Sequence, residues 1–241
     1  MLAVETRKLR REFKDLVAVN DLDLEIEENE LYALLGVNGA GKSTIIRMLS
    51  CILKPTSGDA FILGNSIIKN EGEVKRLIGV SLQETAVAGM LSVRENLELL
   101  CQIYGYDKER TKNKINELSN AFSLSEVLNK RASKLSGGYQ RRLSIAMGLV
   151  SEPKVLFLDE PTLGLDVIAR EELWSLIKEL KSKMTIILTT HYMEEAEALS
   201  DHIGIMKDGS LIAKGTASEL KSQASEESFE KAFIKLVKEA K

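Results

Sequence analysis

Apolar residues fall into two rhythms along this chain. Continuous apolar runs stand at 31–35, 77–82, 155–158 and 185–190. Runs this short predict strands buried on both faces, as in a parallel sheet. Leu22-Asp23-Leu24-Glu25-Ile26 alternates strictly and predicts a strand; residues 2–9 predict another, across a polar turn that contains Phe13. A further short strand is expected over Ala60–Gly64, and 202–216 alternate as a hairpin turning at Lys207-Asp208-Gly209-Ser210.

The other rhythm is helical. Ser43–Leu49 reads as one helix. From Thr85 to Val150 the pattern is mostly helical: Ser92 caps a helix with Glu95 completing a capping box, and Val93, Leu97 and Leu100 recur at helical spacing. Charged residues dominate a helix at about 108–122, and Leu143–Val150 forms an apolar one. Later helices are expected at 166–181 and 227–241. The last presents Phe229, Phe233, Leu236 and Val237 on one face, which predicts docking on its own domain.

Length and charge then narrow the class. The 241 residues are 44% hydrophobic, enough for one α/β domain with a substantial core. A net charge of −3, with both signs spread throughout, gives no electrostatic case for nucleic-acid binding. No apolar run approaches the ~20 residues of a membrane helix, and the start lacks a signal-peptide layout, so the chain is not expected to span a bilayer. Cys51 and Cys101 lack Cys or His neighbours at metal spacing and read as reduced, buried hydrophobes.

Chemistry concentrates at the ends of the apolar runs. Gly36-Val37-Asn38-Gly39-Ala40-Gly41-Lys42-Ser43-Thr44 joins the first run to a helix and fits the phosphate-loop pattern G-x-x-x-x-G-K-[ST]. Glycines let successive N–H groups turn inward on an anion, and the helix start adds free donors and partial positive charge. Lys42 would reach the β- and γ-phosphates, and Ser43 would hold Mg²⁺. Leu135-Ser136-Gly137-Gly138-Tyr139-Gln140 opens another helix and offers a second anion cradle. Asp159 and Glu160 end the 155–158 run, where ligands bind in open α/β sheets. Asp159 can hold Mg²⁺, and Glu160 can take a proton from an attacking water. Three more residues have two readings each. Gln83 could offer its carbonyl oxygen to Mg²⁺ or water, or be an ordinary polar strand end. His191 could donate to a γ-phosphate or be structural. Phe13 could stack on a base or pack at a strand end.

Together these motifs resemble the ATPase subunit of an ATP-binding-cassette (ABC) transporter, over nearly the whole chain from Phe13 to about Leu220 and in that family's order. Gly36–Thr44 matches Walker A, with Val37 where proline is usual. Gln83 matches the Q-loop, and Leu135–Gln140 the family signature, with Tyr139 where Gln or Met is commoner. Val155–Glu160 matches Walker B and the catalytic glutamate, Leu165-Asp166 the D-loop, and His191 the switch histidine. Phe13 fits the base-stacking aromatic, although Lys14 follows it where Gly is usual.

The resemblance implies a P-loop NTPase (RecA-like) α/β core with an antiparallel β subdomain and an inserted α-helical subdomain. The core would comprise 1–84 and 151–222, the helical part 85–150, and a C-terminal helix 223–241. It implies ATP contacts from Phe13, Val19, Asn38, Gly39, Ala40, Gly41, Lys42, Ser43 and Thr44, and Mg²⁺ held by Ser43, Gln83 and Asp159. Glu160, His191 and Gln83 would be catalytic. Ser136, Gly137, Gly138 and Gln140 would serve the ATP of a partner chain, since in this family two such domains close head-to-tail. A separate membrane permease would dock near residues 83–104, placing the chain at the cytoplasmic face of the membrane. Thr190–Glu197 and Ser92–Leu97 are most similar to the drug- and lipid-exporter branch. An importer subunit or a soluble non-transport ABC ATPase shares the same chemistry, whereas a P-loop kinase would lack the Ser136-Gly137-Gly138 cradle.

Overall fold

A computed structural model describes residues 1–240. In chain order its elements are β1 (Leu2–Phe13), β2 (Leu16–Glu27), β3 (Leu31–Gly36), α1 (Lys42–Leu49), β4 (Ser57–Ile62), β5 (Asn65–Ser66), α2 (Glu71–Leu77) and β6 (Ile78–Ser81). There follow α3 (Val93–Ile103), α4 (Lys108–Ala121), α5 (Gly137–Gly148), β7 (Val155–Asp159), α6 (Val167–Lys181) and β8 (Thr185–Thr190). The chain closes with α7 (Met193–Leu199), β9 (His202–Lys207), β10 (Ser210–Gly215), α8 (Ala217–Ala224) and α9 (Phe229–Glu239).

Two sheets form. The larger runs β10-β9-β3-β8-β7-β6, parallel except for β10, and the smaller, antiparallel one runs β2-β1-β4-β5. Side-chain alternation explains the continuous apolar runs. Leu31, Ala33, Leu35, Leu156, Leu158, Ile186 and Leu188 enter the core beneath α3–α9. Their alternates Tyr32, Leu34, Val155, Phe157 and Ile187 enter a second core with α1 and the smaller sheet. Each strand is therefore hydrophobic on both faces. The architecture is the expected P-loop core with an antiparallel β part and inserted helices.

Several local expectations change. β1 and β2 are longer than expected, so Phe13 ends a strand instead of sitting mid-turn; only Lys14 and Asp15 separate the two. The expected strand at 77–82 begins one residue later, because Leu77 closes α2. Cys101 is buried, but Cys51 is only partly so. The C-terminal region holds two helices. Thr216 and Glu219 form a capping box on α8, while α9 seats Phe229 and Phe233 in the main core with Leu236 and Val237 against it. Lys241 lies outside the described residues. The capping box of Ser92 and Glu95 on α3 is present. Among the described residues, no helix is long and apolar enough to cross a membrane.

Candidate active site

β3 delivers the chain to the site at Gly36, in the middle of the larger sheet, and α1 carries it away. The turn between them depends on Gly41, whose φ of 97° is left-handed and where a Cβ would stand 2.2 Å from Ala18 O. No residue with a side chain fits there. The loop is also held from outside: Gly209 N–H, at the tip of the β9–β10 hairpin, donates to Ala40 O at 3.3 Å, and Asn20 N–H donates to Gly209 O at 2.8 Å. Within it, Lys42 Nζ donates to Gly36 O at 2.7 Å. The first N–H groups of α1 have no intrahelical partners and crown a cavity of about 430 Å³.

Asn38, Gly39, Ala40, Gly41, Lys42, Ser43 and Thr44 line that cavity, and Phe13, Gln83, Glu160 and His191 face them. These expected residues, scattered over the sequence, share one space. Val19 does not join them. Strand alternation turns Leu16 and Ala18 to the cavity and buries Val19 completely in the second core. Leu163 is a further wall residue that no motif marked.

Asp159 sits just behind the wall. Its Oδ1 accepts from Ser43 Oγ at 2.9 Å and from Thr189 Oγ1 at 2.6 Å. Ser43, Asp159 and the nearby Gln83 form a set of hard oxygen donors, which suits a small divalent cation that keeps most of its waters. Among the described residues no group of His, Cys, Asp and Glu is placed to hold a metal by itself, so phosphate and water oxygens would complete such a shell.

Glu160 follows β7 with φ 50°, a left-handed conformation that costs a non-glycine residue about 1–2 kcal/mol. Two bonds from its N–H to Thr189, at 3.0 Å to Oγ1 and 3.1 Å to O, hold the turn. The turn aims its carboxylate at Lys42 Nζ, 3.4 Å away, and at His191 Nδ1, 2.7 Å away. Behind it, Arg141 is buried and donates to Leu82 O at 2.8 Å, Gln83 O at 3.0 Å and Glu160 O at 3.4 Å. Burial pulls this guanidinium below its ordinary pKa, and Asp159, Glu195 and Glu160 act against that shift. Sequence reasoning passed over Arg141 and Thr189. Their signals were a pair of consecutive arginines ahead of the apolar part of a helix and a hydroxyl pair ending a buried strand.

Ser136 and Gly137 are exposed at the start of α5 and stand outside the cavity. The Ser136 side chain caps nothing in its own helix. Gln140 does not extend the cradle, because its amide donates to Ala132 O and Leu135 O, both at 3.2 Å. Leu165 lies beside the cradle, 3.8 Å from where a Gly137 Cβ would be, and Asp166 caps α6 through Ala169 N–H at 2.9 Å.

Comparison with known proteins fits this geometry. The family profile described as ABC transporter matches residues 19–163. The probable multidrug ABC transporter ATP-binding protein YbhF of Escherichia coli is 37% identical over 97% of this chain, which spans only 41% of that relative's length. The doxorubicin resistance ATP-binding protein DrrA of Mycobacterium tuberculosis is 41% identical over 87% of this chain and 63% of its own. The daunorubicin/doxorubicin resistance protein DrrA of Streptomyces peucetius is 39% identical over 91% of this chain and 67% of its own. Among solved structures, an ATP-binding subunit of an ABC transporter superposes with a TM-score of 0.86 at 26% identity, covering 97% of this chain and 99% of the other. A dimeric ATP-binding cassette, MJ0796, bound to ADP and Pi in a post-hydrolysis state, gives 0.80 at 27% identity, covering 88% and 98%.

Proposed function

Because this chain belongs to the ABC transporter family, we propose that it is an ATP-hydrolysing subunit that closes head-to-tail with a second copy and drives export through a separate membrane permease. One observation carries the reading. The phosphate-loop cavity and the Ser136-Gly137-Gly138 cradle lie apart in one chain, each open on one side. A second copy, inverted, would set its cradle over the first copy's cavity and complete two sites.

In each site the N–H groups around Lys42 would hold the phosphates, and Lys42 would turn from Glu160 to the β- and γ-phosphates. Phe13 would stack on the base. Ser43, Asp159 and Gln83 would hold Mg²⁺, which when bound neutralises charge on the transferring phosphoryl group. Glu160 would orient the attacking water and accept its proton. With Nδ1 of His191 engaged by Glu160, Nε2 is the ring nitrogen left to face the γ-phosphate. The backbone N–H donors of the loop are set before substrate arrives, which favours the charge that develops in the transition state.

The connection after Gln83 and helix α3, roughly residues 83–104, would offer the permease its docking face at the cytoplasmic side of the membrane. The resistance proteins among the relatives support the export direction. A Glu160→Gln chain tests the reading: in Mg-ATP it should elute as a dimer with about two ATP per dimer. A monomer with ATP bound would sink the head-to-tail site. Affinity capture from detergent-solubilised native membranes should retrieve a polytopic protein; a soluble partner would remove the transport claim and leave the ATPase.

A further inference from the structure

Glu195, on α7, is fully buried. Its Oε1 accepts from Trp174 Nε1 at 3.0 Å, while its Oε2 is buried without a hydrogen-bond partner. The Thr162 hydroxyl is buried and unpartnered too, and both it and the Thr190 hydroxyl lie close enough to act on the ionisation of this carboxyl. These neighbours belong to three separate parts of the site. Thr162 comes two residues after Glu160, Thr190 comes immediately before His191, and Trp174 lies on α6, the helix capped by Asp166.

We propose that Glu195 is a positioning residue that ties the segments carrying Glu160 and His191 to helix α6, so that all three move as one body when the site closes. The inference rests on the ATPase reading above.

A buried acid with an orphaned oxygen costs stability unless that oxygen gains a partner. The Thr162 or Thr190 hydroxyl supplies one, donating to Oε2 when the carboxyl is ionised and accepting from it when protonated, while Oε1 keeps the indole. Burial, the largest influence on the group, and the charge of Glu160 raise its pKa, while hydrogen bonds from Thr190, Thr162 and Trp174 act against that shift. Arg141 is the buried cation within electrostatic range, but its guanidinium is committed to three carbonyl oxygens. Arg170 stacks over the Trp174 ring at 5.3 Å. The carboxyl therefore works as a hydrogen-bonding clamp, and an amide of the same shape, which accepts from the indole and donates to a threonine hydroxyl, can replace it.

The test compares wild type, Glu195→Gln, Glu195→Leu and Thr162→Val by ATP hydrolysis and thermal melting, with Trp174, the one tryptophan of the chain, as a built-in probe. Glu195→Gln should keep kcat within about twofold, whereas Glu195→Leu should lose about 10–100-fold in kcat with KM for ATP and Tm close to wild type. Wild-type kcat in Glu195→Leu, or equal losses in Glu195→Gln and Glu195→Leu, overturns the proposal. So does a fall in kcat that merely follows Tm. If Glu195→Leu does not fold, Thr162→Val decides: lower kcat at unchanged KM supports the clamp, and wild-type kcat overturns it. Should the wild type bind ATP without hydrolysing it, the ATPase reading fails by itself and Trp174 emission decides. An ATP-induced change present in wild type and Glu195→Gln but lost in Thr162→Val supports the clamp; any other pattern overturns it.

Discussion

His191 Nδ1 and Lys42 Nζ hold the same carboxylate from two sides, at 2.7 Å from Glu160 Oε2 and 3.4 Å from Glu160 Oε1. The side chains of Lys42 and Glu160 are both nearly buried, so this pairing neutralises charges that water does not reach. A γ-phosphate entering the cavity would compete for the same two side chains. Nucleotide binding would then free Glu160 for the role proposed for it, taking a proton from the attacking water.

Replacing Glu160 by Gln should lower the single-turnover hydrolysis rate by about 10²–10⁴-fold while ATP affinity holds or tightens, because a carboxylate facing the γ-phosphate is removed. His191→Ala in that background should add little, since the two residues act as a unit. Losses that multiply would show that they act separately. Rapid-mix hydrolysis and equilibrium nucleotide binding measure both quantities.

Gly41→Ala should destabilise the nucleotide-free chain by about 2–4 kcal/mol, combining left-handed strain with a clash. The clash is with backbone, Ala18 O, which cannot swing aside as a side chain can. Urea denaturation reads the stability, and ATP binding should weaken in parallel. An unchanged unfolding midpoint would mean that the loop and β2 are not in firm contact.

Phe13 is 41% exposed at the cavity mouth, with Arg11 stacked on its ring at 4.5 Å. Phe13→Ala should raise the Kd for ATP about 5–100-fold, the value of a lost base stack, and leave kcat at saturating ATP near wild type. Phe13→Tyr should behave as wild type. Unaltered affinity in the alanine variant would return Phe13 to simple strand-end packing.

Protonation gives a further expectation. Glu195 is an acid whose pKa is raised in the folded state, so above the usual carboxylate range the folded chain keeps a proton that the unfolded chain has released. Its contribution to stability is greatest below that range and declines as pH climbs toward the folded value. Urea midpoints of wild type should therefore fall relative to those of Glu195→Gln as pH rises above the usual carboxylate range. Parallel curves would mean that the carboxyl is already ionised in the folded chain.

Legibility followed burial. The strands β3, β7 and β8 announce themselves because both faces are apolar, and the loop at 36–44 because few sequences satisfy its spacing. Helix α2 buries only Val74, so it has no apolar stripe to detect. Helix α7 points Glu195 into the core, which breaks the pattern a reader relies on. The side of β2 that meets the cavity was also hidden: Val17, Ala18 and Val19 are all apolar, and only the pairing with β1 decides which faces inward. That Gln140 turns away from its cradle depends on the carbonyls of Ala132 and Leu135, which no spacing displays.

The hairpin tip at Gly209 has a consequence for how the chain is made. The phosphate loop emerges early in synthesis, yet the contacts of Ala40 and Asn20 are with Gly209, and β3 takes both its neighbours, β8 and β9, from beyond residue 184. On the ribosome the loop must wait, unshaped and with its strand edges open, for some 170 residues to follow it. The nucleotide site is thus written first and finished last, and a nascent chain halted before the hairpin would leave the tunnel unable to grip ATP.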